Sequence, residues 1–397
     1  MASIILRNGR LIDGTGQAWD RATIQVQGDR LHAVSPGDRH DPLAEIVDLA
    51  GRTVIPGLMD CHTHVCGETI PPPPGSMPTQ SAAEHAIRGE RWLVEALKKG
   101  VTAIRDVGGI DHVDLALKRM VEKGTIAGPR IRAVGRLICM TGGHGWPFGV
   151  EADGPDEVRK AVRSQLKAGA DAVKLLATGG IATAGTQPGA PQLTLAELAA
   201  GAEEAHNAGR KVAAHAEGRQ GIRNAVLAGV DSIEHGYEID DEIIELMLER
   251  GTYLCPTLTC DIRWAEHGTE LGMSAESVEK MKRWIVPLLT SFERAHKAGV
   301  RIAAGNDAWT DWVPISDMAS ELAAMVQYGM SPHAAIIAAT ANSADLLQLP
   351  DEGVVAAGNR ANLVVLARDP LADITAVAEV EGVMKDGAWV VRPTWVA

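Results

Sequence analysis

His62 and His64, separated by Thr63, follow the apolar run Val54-Ile55-Pro56-Gly57-Leu58-Met59-Asp60-Cys61. Side chains alternate along a strand, so this spacing sends both imidazoles to one face. Neutral imidazole is the commonest protein ligand for zinc and similar metals, and the pair reads as the start of a metal site whose other ligands lie elsewhere. Further along, Val173-Lys174-Leu175 sets one lysine in an apolar strand. Alternation sends Val173 and Leu175 outward and Lys174 inward, where an ammonium needs a counter-charge or a chemical change. Val212–His215 and Ser232–His235 each end in a histidine, and Ala304-Gly305-Asn306-Asp307 ends in a carboxylate. Taken singly, each has an ordinary structural role: a hydrogen-bonded histidine, a capping aspartate, a paired lysine. Their recurrence at successive strand ends points to one shared site.

The elements that would position these groups alternate. Predicted strands are the one leading into His62, then Thr102–Val107, Arg130–Val134, Ala172–Leu176, Lys211–His215, Ser232–His235, Thr252–Cys255 and Arg301–Gly305. Helical stretches Ser81–Lys99, Pro155–Ala168, Leu195–Ala208 and Ser274–Ala298 fall between them. This order predicts an α/β fold, a parallel (β/α)8 TIM-like barrel, with chemistry at the carboxyl ends of its strands; an open doubly wound sheet is the alternative. Both ends of the chain carry short strands and turn signals, among them Asn8-Gly9, Gln27-Gly28 and Asp386-Gly387. Residues 1–56 and 353–397 are therefore expected to form one small β-sandwich domain, and residues 57–352 the metal-dependent barrel.

The chain has 397 residues, 46% hydrophobic and 22% charged, with a formal net charge of -13. That charge disfavours nucleic acid or an anionic membrane as partner and favours a small-molecule substrate. No apolar run approaches the ~20 residues of a membrane span, and the start lacks a secretory pattern, so a cytoplasmic location is expected. Five scattered cysteines without a CxxC pair predict reduced thiols. Cys61 and Cys66 flank the histidines, but alternation turns Cys61 away from them.

In order and together, His62-Thr63-His64, Lys174, His215, His235 and Asp307 resemble the amidohydrolase superfamily over nearly the whole chain. The resemblance implies that Lys174 is carboxylated by carbon dioxide and bridges two divalent metals, most simply Zn2+. One would take His62, His64, Lys174 and Asp307, the other Lys174, His215 and His235, with a hydroxide between them. Such a pair activates both water and the scissile carbonyl. Asp307 would then carry the proton to the leaving nitrogen as a general acid/base. Family habit also implies a homo-oligomer.

Thr141-Gly142-Gly143-His144-Gly145, Ala177-Thr178-Gly179-Gly180 and Ile233-Glu234-His235-Gly236-Tyr237 resemble the branch of imidazolonepropionase-like proteins and Xaa-Pro dipeptidases. His144 and Tyr237 are the expected catalytic and substrate-binding partners, for a carbonyl or a carboxylate, and Arg219 a further carboxylate contact. Two departures stand out. Glu217 occupies the place where relatives often have a second histidine, and Asn306 and Trp309 surround Asp307 where smaller or hydroxylic residues are common. Pro71–Pro74 and Thr178–Gln192 are loops expected to shape the pocket, and Trp146, Phe148, Trp309 and Trp312 to offer an apolar wall. The expected activity is metal-dependent hydrolysis of an amide bond, in a dipeptide, an N-acyl amino acid or a carbamate- or urea-like compound. Hydrolysis of a cyclic amide or lactone, and a non-catalytic binding protein on the same fold, are the alternatives.

Overall fold

A computed structural model describes residues 3–37, 43–67 and 80–395. The Pro71–Pro74 loop lies outside them. Strands Ser3–Ile12, Ala18–Gln27, Arg30–Pro36, Glu45–Asp48 and Thr53–Pro56 join Leu363–Leu366, Val380–Lys385 and Ala388–Val391 in one eight-stranded sheet. Its seam is the antiparallel pairing of Leu363 with Pro56 through Leu366 with Thr53. Period-two alternation divides the two faces of this seam. Val54, Leu363 and Val365 pack into a core with Leu6, Leu11, Ile24 and Met384. Ile55, Val364 and Leu366 instead join the main core.

Two turn signals behave differently here. Asp386 and Gly387, both with positive φ (47° and 75°), turn the hairpin between Val380–Lys385 and Ala388–Val391. Asn8-Gly9 makes no turn: it lies inside the first strand, where Asn8 has φ 58° and the register shifts between Leu6 and Gly9. The cause is packing, since a Cβ on Gly9 would sit 2.5 Å from the Leu49 side chain. The pair makes a bulge in place of a connection.

Between the termini, strands run parallel. Leu58–Thr63, Val101–Asp106 and Arg130–Ala133 form one group; Ala172–Leu176, Lys211–Ala216, Ser232–His235 and Tyr253–Cys255 lie in a second. The Asp171 amide donates to the Ala133 carbonyl (2.7 Å) between the groups, and the Cys61 amide donates to the Ala304 carbonyl (2.8 Å). Arg301–Gly305 is not the regular eighth strand that was expected. It makes one isolated bridge, Leu254 with Ile302, and the Ala304 amide turns aside to the Ala338 carbonyl.

The helices start where side chains satisfy their free amides. Ser81 and Glu84 form a capping box for Ala82–Lys98, and Thr194 and Glu197 another for Leu195–Asn207. Outward strand residues Val173 and Leu175 pack with Val158, Leu198 and Ala202 of the helices. Removing a side chain such as Leu175 costs about 2–5 kcal/mol. On the inner side, Met59, Cys61, Ala103, Tyr253, Cys255 and Ala303 pack with Leu346, Leu347 and Leu349 in a dry floor. Among the described residues no helix is long and apolar enough to cross a membrane.

Candidate metal centre

Above this floor, His62, His64, Lys174, His215, His235 and Asp307 line a single cavity of about 160 Å3. The imidazoles follow one another round it: ring centroids are 5.5 Å apart for His62 and His64, 5.0 Å for His62 and His235, and 4.7 Å for His215 and His235. Asp307 Oδ1 lies 3.5 Å from His62 Nε2 and 3.4 Å from His64 Nε2. His144 stacks on His215 at 4.4 Å and, with Tyr237, lines the same cavity. A Cβ on Gly180 would come within 2.6 Å of the His144 ring, so only glycine allows that approach.

Arg219 is elsewhere. It is exposed and ion-paired with Asp240 and Glu242, because its place at a helix start turns its side chain toward neighbouring acids. Of the aromatic residues, Phe148 and Trp309 line the cavity together with Trp264, which the motifs did not mark. Trp146 packs against the cluster Leu137, Cys139 and Leu176, and Trp312 is half exposed. Cys66 lines the cavity, whereas Cys61 belongs to the floor. Among the described residues neither belongs to a group of converging metal donors.

Strict alternation accounts for Lys174 and His215 but not for every ligand candidate. Ile233 faces the helices, so alternation gives the inward place to Glu234 and the outward one to His235. The His235 backbone, at φ 71°, breaks the alternation and aims the ring into the cavity. Thr257 (φ 53°) and Asp307 (φ 53°) are held in the same sparsely populated region. Such conformations cost of order 1–3 kcal/mol and cluster at functional sites. The ring of His235 is tied by Nδ1 to the Thr257 hydroxyl at 2.8 Å.

Each of the four histidines has one ring nitrogen engaged away from its neighbours. His62 Nδ1 donates to Glu234 (2.7 Å), His64 Nδ1 to the Gly108 carbonyl (2.7 Å), and His215 Nε2 to the Gly179 carbonyl (3.0 Å). For His62 and His215 the acceptors are oxygens that cannot donate, which assigns the tautomer and leaves the second ring nitrogen with a free lone pair, whereas His64 Nε2 turns to Asp307. Glu234 is itself fully buried and accepts a 2.7 Å bond from Arg105. Neither Glu234 nor Arg105 was singled out from the sequence. The signal available was Arg105, a charged residue inside an apolar strand, just as Lys174 is.

Burial is the main electrostatic influence here. It pushes His62 down to about 4, and His215 and His235 well below the usual histidine range, so these rings stay neutral, the form that binds metals. His64 goes the other way, because its bond to Asp307 outweighs burial. Burial would raise the Asp307 carboxyl, yet the His62 and His64 rings outweigh it and hold the group well below the usual carboxylate range. Glu234 is likewise held ionised, by Arg105 and His62 against burial. Burial also depresses Lys174, to about 8. Lys174 is 3% exposed and forms no ion pair or hydrogen bond among the described residues.

The comparison with known proteins falls on this same chain segment: the model of the amidohydrolase family matches residues 53–390. The chain belongs to that family. The ochratoxinase of Aspergillus niger is 32% identical over 414 residues, covering 96% of this chain and 84% of that protein. A solved Xaa-Pro dipeptidase with bound methionine in its active site is 33% identical at a TM-score of 0.90, covering 98% of this chain and 99% of the other. A prolidase complexed with N-methylphosphonate-L-proline is 32% identical at a TM-score of 0.91, covering 98% and 100%. The amidohydrolase described here therefore has a TIM-barrel-like fold and is a hydrolase acting on C–N bonds of small molecules. Its family generally uses divalent metals, and groups of converging donors are present: His62, His235 and Asp307 offer ligand atoms within 4.8 Å of one another, and so do His215, Glu217 and His235.

Proposed function

We propose that this amidohydrolase cleaves an amide bond of a dipeptide, an N-acyl amino acid or a carbamate- or urea-like compound, at a centre holding two divalent metals. Lys174 is the observation that carries the reading. A buried ammonium without a partner is unfavourable, and its depressed pKa leaves a substantial free-amine fraction near pH 8. Addition of carbon dioxide to that amine gives a carbamate, an anionic oxygen ligand in a place where the neutral imidazoles of His62, His215 and His235, the His64 ring and an ionised carboxylate already converge. The donor set thus fits two cations, with His62, His64 and Asp307 on one side, His215 and His235 on the other, and Lys174 shared. Zinc suits such nitrogen and oxygen donors. When bound, the metals lower the pKa of water and polarise a carbonyl.

The chain's own groups do the rest. Asp307, ionised at neutral pH, takes the proton of the attacking water and returns it to the departing nitrogen. His144, neutral because burial holds it at about 3, lines the cavity and has a buried Nδ1 without a hydrogen-bond partner among the described residues, and its ring binds the substrate as donor or acceptor. Tyr237 completes the wall beside His235, its ring 6.2 Å away. Phe148, Trp264 and Trp309 exclude water around the reacting bond. In this reading residues 57–352 form a closed (β/α)8 barrel that carries the site, residues 1–56 and 353–397 a β-sandwich, and the protein works in the cytoplasm as a homo-oligomer.

The test is direct. Protein produced with zinc and bicarbonate is expected to hold close to two metals per chain by elemental analysis and to hydrolyse members of a dipeptide and N-acyl amino acid panel. Chelation should abolish turnover and zinc should restore it. Metal content near zero, or activity indifferent to chelation, would overturn the metal centre, and turnover confined to cyclic amides or lactones would overturn the substrate class.

A further inference from the structure

We propose that Glu321 is a positioning residue for the His235 ring, acting through Thr257 at the start of helix Leu258–His267. The role rests on the two-metal reading, in which His235 is a ligand of the second cation. Thr257 occupies the cap position of that helix and is of a type that ordinarily accepts a hydrogen bond from a first-turn amide. Here its side chain makes no cap bond to the helix. Its hydroxyl is bonded instead to His235 Nδ1 at 2.8 Å, and its backbone is left-handed, φ 53°, which is unusual for a β-branched residue. The first-turn amides therefore need an acceptor from elsewhere. Glu321, fully buried in helix Met318–Gln327, supplies it: its two carboxyl oxygens accept from the Leu258 amide at 3.0 Å and the Thr259 amide at 2.7 Å.

Two tasks that compete for one threonine are thus divided between two residues. The Leu258 amide belongs to the peptide group that follows Thr257, so holding that amide fixes the backbone that aims the Thr257 hydroxyl. Without Glu321, the ordinary capping conformation becomes favourable for Thr257, and an extended backbone there turns the hydroxyl to the helix amides and away from His235. The two helices are kept in step beside this contact, where Arg263 Nη2 donates to Ser320 Oγ at 3.1 Å. Both oxygens of Glu321 are in use, so glutamine is a sharp probe: it keeps one acceptor and sets an N–H donor against the other amide. A carboxylate that only capped a helix would leave His235 indifferent to that change.

Chelator-competition titration with zinc tests it on the full chain. In Glu321→Gln one of the two ions should be held about tenfold more weakly than in the parent, and in Thr257→Val at least as weakly, whereas Thr257→Ser, which keeps the hydroxyl, should stay within about twofold. The decisive variant combines Glu321→Gln with Thr257→Val. If Glu321 acts through the Thr257 hydroxyl, the pair binds zinc no more weakly than Thr257→Val alone; two independent factors that multiply would make the carboxylate merely structural and overturn the proposal. Unchanged zinc affinity in Glu321→Gln would overturn it too. Ring 15N resonances of histidine-labelled, metal-free protein read the same contact without metal, with His235 assigned by comparison with His235→Asn. The His235 Nδ1 resonance should move in Thr257→Val and, in the same direction, in Glu321→Gln, while those of His62 and His215 stay. That movement in a protein that takes up no zinc would sink the metal reading and keep the positioning role, whereas two bound ions with an unmoved His235 resonance would do the reverse.

Discussion

The Glu234 carboxylate and the His62 ring share a 2.7 Å hydrogen bond inside a pocket closed to solvent. The same carboxylate holds Arg105, so one buried anion both orients an imidazole and neutralises a guanidinium. The arrangement turns His62 Nε2 toward Asp307 and keeps its own proton on Nδ1.

Replacing Glu234 by glutamine should weaken both functions. Outer partners of this type are worth about 10–100-fold in metal affinity or activity. Leaving Arg105 without its buried counter-charge should also destabilise the fold, by about 3–5 kcal/mol. Chelator-competition titration reads the first and urea denaturation of metal-free protein the second; an unchanged zinc affinity would mean that the bond does not position the ring.

Lys174→Met separates stability from metal binding. The substitution removes an unpaired buried cation and keeps an unbranched chain of similar length, so the metal-free variant should melt at or above the metal-free parent. Its zinc content should fall sharply even with bicarbonate present. A lower melting temperature after chelation of both proteins would show that the ammonium has a stabilising partner.

Glu321 makes a pH prediction. It is fully buried, accepts from the Leu258 amide at 3.0 Å and the Thr259 amide at 2.7 Å, and burial raises its pKa from 4.5 to about 7. A carboxyl with a raised folded-state pKa binds its proton more tightly when folded, so stability is lost as pH rises from the unfolded value through the folded one. Between pH 5 and pH 8 this group should account for up to about 3 kcal/mol of that loss. In metal-free protein the gap in unfolding free energy between pH 5 and pH 8 should be smaller in Glu321→Gln than in the parent; equal gaps would show that Glu321 does not titrate in this window.

Much of this was legible in the sequence where one rule governs. Lys174 and His215 follow the period-two pattern because their strands are regular: Ala172–Leu176 begins and ends where the apolar run does. The seam between chain termini was likewise visible as short strands at both ends. What was hidden depends on local exceptions or on distance. The ring of His235 enters the cavity through a left-handed backbone that no periodicity announces, and Asn8-Gly9 reads as a turn until Leu49 is known to pack against it. Glu234 reveals its role only through His62 and Arg105, partners far along the chain. Arg219, four residues after His215, was near the site in sequence but is held on the surface by Asp240 and Glu242.

The pairing of Thr53–Pro56 with Leu363–Leu366 has a consequence for biogenesis. Thr53–Pro56 leads directly into the His62 strand, and the Gly57 amide is held by the Asn362 carbonyl at 2.9 Å. While a ribosome is still making the middle of the chain, the segment bearing the first two imidazoles lacks the neighbour that braces it. The bracing of that segment thus waits until the last stretches of the chain emerge.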